Sequence, residues 1–239
     1  MKVYTYEEIR DKVLKDLDMQ DESFVDQDEM VGYCNDAIDE AEEEILKLSE
    51  DYFLTYSALN LIAAKSEYSL PADMYANKIR EIVFSDGSLI YEVKKFRRPK
   101  QFTELTNIEV FGNTDYYKYL LLNQSATKGY KIKFYPNIRE TGSEFIKIWY
   151  IRNAQRVPLI ADGSLTETEE TKVDIPEFHG FIVDYMKERV LFKEGGPRYE
   201  AALLKLEKRR TSMVSTLTER VDDDDNEIPQ DVSHYEEHS

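Results

Sequence analysis

EYSLPADMYANKIREIVF, at residues 67–84, is the stretch that decides the predicted fold of this chain. Its residues 68–70 predict a short strand, and Pro71 ends that strand because proline has no backbone N–H for a ladder hydrogen bond. After a small turn, KIREIVF at 78–84 predicts a second strand. The Asp86-Gly87 pair that follows predicts a tight hairpin turn, since both residue types accept positive φ angles.

Around this stretch, residues 51–173 are predicted to form a β-rich insertion. Aromatic and branched residues dominate several short runs, and Gly, Asn or Ser separate the later ones. Besides the strand at 68–70, these runs predict about six antiparallel strands at 51–63, 78–84, 88–96, 116–123, 130–136 and 144–152. Residues 153–173 are polar and predict a connection.

Two helices are predicted before the insertion, within residues 1–50. Thr5 and Glu8 have the spacing of a capping box, which opens the first helix. The second helix, from about 28 to 48, has roughly five turns of regular 3.6-residue periodicity. Its apolar face is Met30, Val31, Cys34, Ala37, Ile38, Ala41, Ile45 and Leu48, and its acidic face is Asp36, Asp39, Glu40, Glu43 and Glu44.

Two more helices are predicted after the insertion, within residues 174–221. Pro176 suits the first turn of one helix, and Gly195-Gly196-Pro197 separates it from a last helix that reaches about Arg220. We therefore expect an α+β fold in which the N- and C-terminal helix pairs form one four-helix core. Residues 222–239 are acidic and polar, and we expect them to be a disordered C-terminal arm.

Composition favours a soluble protein with no membrane or nucleic-acid specificity. The 239 residues are 41% hydrophobic and carry a net charge of -17. Residues 222–239 contain eight of the acids and no Lys or Arg. A protein that binds duplex DNA tightly needs a basic face, so this balance argues against that role. Cys34 is the single cysteine, which excludes a disulfide within the chain and fits a reducing compartment such as the cytoplasm. No apolar run approaches the ~18 residues of a membrane span.

Candidate catalytic and metal sites fail on spacing, so we predict no enzyme, cofactor or metal. A calcium loop starting at Asp16 would place Asp21 where glycine is needed and Gln27 where glutamate is needed. The three histidines, His179, His234 and His238, lack the spacing of zinc ligands. No phosphate-binding loop, dinucleotide glycine pattern or nucleophile elbow is present.

Two basic groups are candidate contact surfaces. The first places five bases within seven residues, with Phe96 and Phe102 interleaved: Lys94, Lys95, Arg97, Arg98 and Lys100. It predicts contact with phosphate or with an acidic partner, although a solvated loop after the hairpin would look the same. The second group, on the last helix, is Lys205, Lys208, Arg209 and Arg210. Acids and bases so segregated suggest head-to-tail self-association, with the acidic arm of one copy on a basic patch of the next.

The frame of the chain resembles the head-to-tail adaptor, or connector, proteins of tailed bacteriophages. The resemblance covers about residues 5–215. It is carried by MVGYCNDAIDEAEEEIL at 30–46, by the stretch at 67–84, by the Asp86-Gly87 hairpin and by DIPEFHGFIVDYMKERVLFKEG at 174–195. The size of the β insertion looks most like the tail tubular or gatekeeper connectors of short-tailed phages.

The resemblance implies a structural virion protein in the neck, at the portal vertex. Such adaptors form rings, commonly dodecameric, that bind the portal protein and the next tail protein and surround the channel through which double-stranded DNA passes during packaging and ejection. In this chain the portal-binding arm would use Ile228, Pro229, Val232 and Tyr235 as apolar anchors. The β part would face the next tail component.

Two other functions stay open at this point. The chain could be a different ring of the neck or tail, such as a terminator or second connector, which would bind the tail tube rather than the portal. It could also be a cellular enzyme of unknown class, which would have a defined small-molecule pocket.

Overall fold

The computed structural model describes residues 2–20, 24–96, 116–123, 130–138, 141–159 and 165–226. The chain divides into two compact units. The helical unit comprises Met1–Tyr52 and Ala154–Ser239, and the β unit comprises Phe53–Asn153.

Five α helices lie in the described part of the helical unit: α1 (Tyr6–Leu17), α2 (Gln27–Leu48), α3 (Leu165–Glu170), α4 (His179–Glu194) and α5 (Arg198–Asn226). Short 3₁₀ turns occupy Glu50–Phe53 and Pro176–Phe178. The predicted capping box of α1 is confirmed: the Thr5 hydroxyl accepts from the Glu8 N–H, and the Glu8 carboxylate accepts from the Thr5 N–H. An equivalent box, between Asp26 and Glu29, opens α2.

The expected four-helix core is wrong. The described residues contain a fifth helix, α3, and α4 is a central helix that contacts α1, α2 and α5. Apolar residues of α4 such as Phe181, Met186 and Val190 are buried, and so are polar residues on the same helix. The sequence pattern suggested four amphipathic helices that share one core, but α4 is covered by several neighbours rather than along one face.

Helix α5 differs from its predicted form in length and in burial. It continues through Asp222–Asp225 to Asn226, so this part of the expected disordered arm is helical. Its buried apolar residues, among the described side chains, are Leu206, Met213 and Leu217, which form a narrow seam. Leu203 of the same helix is exposed, because the helix presents little more than this seam to its neighbours.

The segment 154–157 lies along the polar side of α2. Asn35 donates its amide to the Val157 carbonyl and accepts from the Val157 N–H. Asp39 pairs with Arg156, and the buried Glu42 carboxylate accepts from the Ala154 N–H at 2.6 Å. Positions 35, 39 and 42 share one helix face, and through this face polar side chains of α2 satisfy the backbone of the segment.

The described part of the β unit contains two four-stranded sheets. The first has the order β1-β8-β3-β4 and the second β2-β7-β6-β5. The strands are β1 (Leu54–Leu61), β2 (Glu67–Ser69), β3 (Met74–Ser85), β4 (Ile90–Glu92), β5 (Lys94–Lys95), β6 (Lys118–Asn123), β7 (Tyr130–Tyr135) and β8 (Gly142–Arg152). Alternate residues of both sheets, such as Ile146, Ile148, Ile132 and Phe134, meet in one apolar core.

The β3–β4 hairpin is confirmed, but the expectation of a purely antiparallel region is wrong. A four-residue connection, from Asp86 to Leu89, replaces the tight turn. The Asp86 carboxylate accepts from the N–H groups of Ser88 and Leu89, and Gly87 has a φ of +88°. After β4 the chain enters the other sheet, where β5 pairs in parallel with β6. The sequence could not show this pairing because β5 and β6 are far apart along the chain.

Candidate assembly surfaces

The predicted basic patch is described only in part. Lys94 and Lys95 form strand β5, at the edge of the second sheet, and both are exposed. Arg97, Arg98 and Lys100 lie outside the described residues. The proposed portal anchors Ile228, Pro229, Val232 and Tyr235 lie outside them as well.

A third lysine joins this edge from a different strand. Lys118, the first residue of β6, lies directly opposite Lys94 in the parallel register, and its side chain is exposed. Neighbouring strands are about 4.8 Å apart, so two residues of like charge lie side by side here, and the Lys118 ammonium also lies 5.9 Å from the centroid of the Phe96 ring. We call Lys94, Lys95 and Lys118 the lysine cluster. Sequence reasoning missed Lys118, because no local pattern reports a pairing between distant strands.

The two units carry charges of opposite sign. The β unit, residues 53–153, has 15 Lys and Arg against 10 Asp and Glu, a net charge of +5. The rest of the chain has 16 Lys and Arg against 38 Asp and Glu, a net charge of -22. The acidity of the protein therefore belongs to the helical unit, and the β unit is basic.

The second predicted basic group is mostly neutralised within the chain. Lys205 and Arg209 both contact the buried carboxylate of Asp184 on α4, at 2.8 and 3.3 Å. Arg210 pairs with Glu40 of α2 and with Glu207. These three bases therefore connect α5 to the helices beneath it and are poorly placed to receive an acidic partner.

An ion-pair network crosses three helices at Asp184. Lys187, also on α4, lies 3.8 Å from the Asp184 carboxylate and pairs with Asp16 at the end of α1. The Asp184 side chain is 4% exposed, so its charge depends on these partners for compensation. The network joins α1, α4 and α5 and explains how α5 stays attached with a narrow apolar seam.

Exposed apolar side chains form a patch on each unit. In the first sheet, Tyr56 of β1 is 54% exposed, and its ring lies 5.0 Å from that of Trp149 on β8. In the helical unit, the exposed Phe192 lies 5.4 Å from Tyr199 across the α4–α5 connection, and Leu204 is 64% exposed. Apolar and aromatic side chains in such positions are common in protein interfaces.

Two of the candidate reactive residues, Cys34 and His179, lie in the described part of the chain and are in structural positions, whereas His234 and His238 lie outside it. Burial raises the pKa of the Cys34 thiol to about 12, which keeps it in the unreactive protonated form. His179 is buried, its pKa is lowered by burial, and its Nε2 contacts the carbonyls of Val173 and Asp174. Across the described segments no cluster of His, Cys, Asp or Glu has metal-binding geometry, and no helix there has the length and apolarity of a membrane span.

A cleft of about 400 Å³ between α4 and α5 is a candidate for an enzyme pocket. Arg209 and Arg220 line it together with Ser212 and Thr216. Arg209 pairs with Asp184, and Arg220 pairs with Glu177 at 2.7 Å. The cations of the cleft are thus compensated by carboxylates of the same chain.

The comparisons with known proteins identify the family of this chain. No curated protein matches it. The sequence model of the SU10 adaptor protein family matches residues 4–229, which include both units almost completely. This is a family of phage structural proteins rather than of enzymes. The chain therefore belongs to the SU10 adaptor protein family and is a structural adaptor protein of a bacteriophage virion.

Proposed function

We propose that this chain forms the head-to-tail adaptor ring of a bacteriophage, which joins the portal to the tail and surrounds the DNA exit channel. The observation that carries the proposal is the family match over residues 4–229. Because the match includes the helices and the strands, the whole folded chain, and not an isolated motif, is of the adaptor type.

The exposed apolar patches support an assembled protein. One patch, at Tyr56 and Trp149, belongs to the β unit, and the other, at Phe192 and Tyr199, belongs to the helical unit. A ring protein between two other components needs contacts to its neighbours and to both components. Apolar patches on both units are suited to that demand, whereas a monomeric enzyme needs one concave pocket.

The charge of the chain supports a channel through which DNA moves without being held. The helical unit has a net charge of -22, and acidic walls repel phosphate. The described residues that bear positive charge near α5 are largely paired with carboxylates. We therefore propose that packaged double-stranded DNA passes the ring without sequence-specific binding.

The C-terminal arm is the proposed portal contact. Ile228, Pro229, Val232 and Tyr235 are apolar residues in a strongly acidic stretch, and such residues can anchor a segment on a partner surface. The family match ends at residue 229, so Val232 and Tyr235 lie beyond it. We assign the β unit to the contact with the next tail component, and we place the chain nearest to the connectors of short-tailed phages because of the size of that unit.

The proposal is tested by co-sedimentation with tailless, portal-containing capsids of the same phage. We expect stoichiometric recovery of the chain with the capsids. The variant Ile228→Asp with Val232→Asp should lose binding, while Gln230→Asp with Ser233→Asp, which adds the same charge to the same segment, should retain it. Binding to isolated tails but not to capsids would support another neck or tail ring instead, and binding to neither would reject the proposal.

A further inference from the structure

We propose that the lysine cluster of one copy binds the acidic run Asp222–Glu227 of a second copy. The run has the sequence DDDDNE, with five acids in six residues. The cluster comprises Lys94, Lys95 and Lys118 on the β unit. This proposal rests on the proposed function, because it requires several copies of the chain to assemble. It specifies the two surfaces through which neighbouring copies bind.

The lysine cluster is unfavourable in the isolated chain. Lys94 and Lys118 are directly opposed on neighbouring strands, and like charges at such positions destabilise a sheet. Neither residue has an ion-pair partner among the residues that the structure describes, and both are exposed. A bound anionic group would remove this repulsion, so the arrangement points to an acidic ligand.

The acidic run is unfavourable in the isolated chain for a complementary reason. Asp222–Asp225 occupy the C-terminal end of α5, and no base lies in its last turn. A helix C-terminus has partial negative charge, which disfavours acidic residues there. The four aspartates also repel one another. A cationic surface would relieve both effects.

Charge complementarity selects these two regions as partners for each other. The basic group on α5 is excluded as the receptor, because Lys205, Arg209 and Arg210 pair with Asp184 and Glu40. The cluster belongs to the unit with a net charge of +5, and the run belongs to the part of the chain with a net charge of -22. A contact between different surfaces of two identical chains is head-to-tail, and such contacts form a ring when the rotation between copies closes, and an open filament when it does not.

The test is a charge-reversal exchange with the purified full-length chain, measured by sedimentation velocity at low ionic strength. The first variant, Lys94→Glu with Lys118→Glu, keeps the repulsion between the opposed side chains and therefore disturbs the fold little. The second variant is Asp223→Lys with Asp224→Lys. Each alone should self-associate about tenfold more weakly than the wild type, because several ion pairs become repulsive. An equimolar mixture should recover association.

Two controls separate this contact from general charge effects. Lys65→Glu with Lys131→Glu makes the same change in net charge elsewhere on the β unit and should leave association unchanged. Roughly 1 M salt, which shortens the Debye length to about 3 Å, should weaken wild-type association strongly.

Four results would overturn the inference. In the first, the wild type does not associate at low ionic strength. In the second, the single variants associate like the wild type, as they would if the lysines only protected a sheet edge. In the third, neither the mixture nor a single chain that carries both reversals recovers association. In the fourth, the chain that carries both reversals recovers association but the mixture does not, which would indicate a contact within one chain. None of these measurements uses capsids, so failure of portal binding would leave the outcome interpretable.

Discussion

Replacing Asp184 with asparagine is expected to lower the free energy of unfolding by about 2 kcal/mol. The carboxylate is 4% exposed and contacts Lys205 at 2.8 Å and Arg209 at 3.3 Å. Removing one member of a fully buried ion pair costs about 3–5 kcal/mol. The cost here is smaller because Lys205 and Arg209 are 57% and 49% exposed, so water compensates their charges when the carboxylate is lost. Lys187 retains Asp16 as a partner.

Urea unfolding, followed by circular dichroism, measures this change. Glu177→Gln is the matched control, because Glu177, in the 3₁₀ turn before α4, forms an ion pair with Arg220 of α5 at a more exposed site. We expect the control to cost about 0.5 kcal/mol. If Asp184→Asn costs no more than Glu177→Gln, the network does not hold α5 on α4, and the reasoning about this helix is refuted.

Three further predictions concern stability. Burial raises the pKa of Glu42, so the folded state favours the protonated carboxyl group more than the unfolded state does. The stability that the protonated group contributes is therefore lost as pH rises through the folded pKa. Glu42→Gln should therefore gain stability relative to the wild type at pH 7 but not at pH 4, as urea titrations at the two pH values would show. Gly87→Ala should cost about 1 kcal/mol because Gly87 has a φ of +88°, and an equal stability would refute the turn geometry. Leu217→Ala should cost about 2–4 kcal/mol because Leu217 is fully buried in the α5 seam, whereas Leu204→Ala should cost under about 1 kcal/mol.

Local patterns predicted the elements that depend on nearby residues. Three such elements are the Thr5–Glu8 capping box, the helix α2 and the β3–β4 hairpin. Each depends on residues within a few helical turns or on either side of one turn. Each of these features has a physical cause that acts between residues close in sequence, such as a capping hydrogen bond or an amphipathic face. The structure confirms them for that reason.

Features that depend on distant pairings were not predictable. The parallel pairing of β5 with β6, and with it the position of Lys118 beside Lys94, joins strands that local patterns cannot relate. The periodicity of α2 placed Asp39 on an acidic face, but it gave no indication that Asp39 and Glu42 bind the segment 154–157. The central position of α4 also depends on tertiary packing, which local patterns do not report. The prediction of a four-helix core was wrong for this reason.

For the candidate surfaces too, the sequence located the charged residues but not their partners in the fold. Composition and charge runs located Lys94 and Lys95, and they drew attention to the bases of α5 as a second surface. In the structure most of the bases in that second group are already paired, for example Lys205 and Arg209 with the buried Asp184. A charge count along the sequence reports how many bases are present, and only the fold reports which of them are already paired.

The central claim, that this chain is the adaptor ring at the portal, is tested most directly by electron cryomicroscopy of capsids incubated with the purified chain. The account predicts added density at the portal vertex alone, arranged as a closed ring, into which the helical unit and the β unit fit as separate bodies. Unchanged density at the portal vertex, in a sample where the chain is folded and in excess, would contradict it.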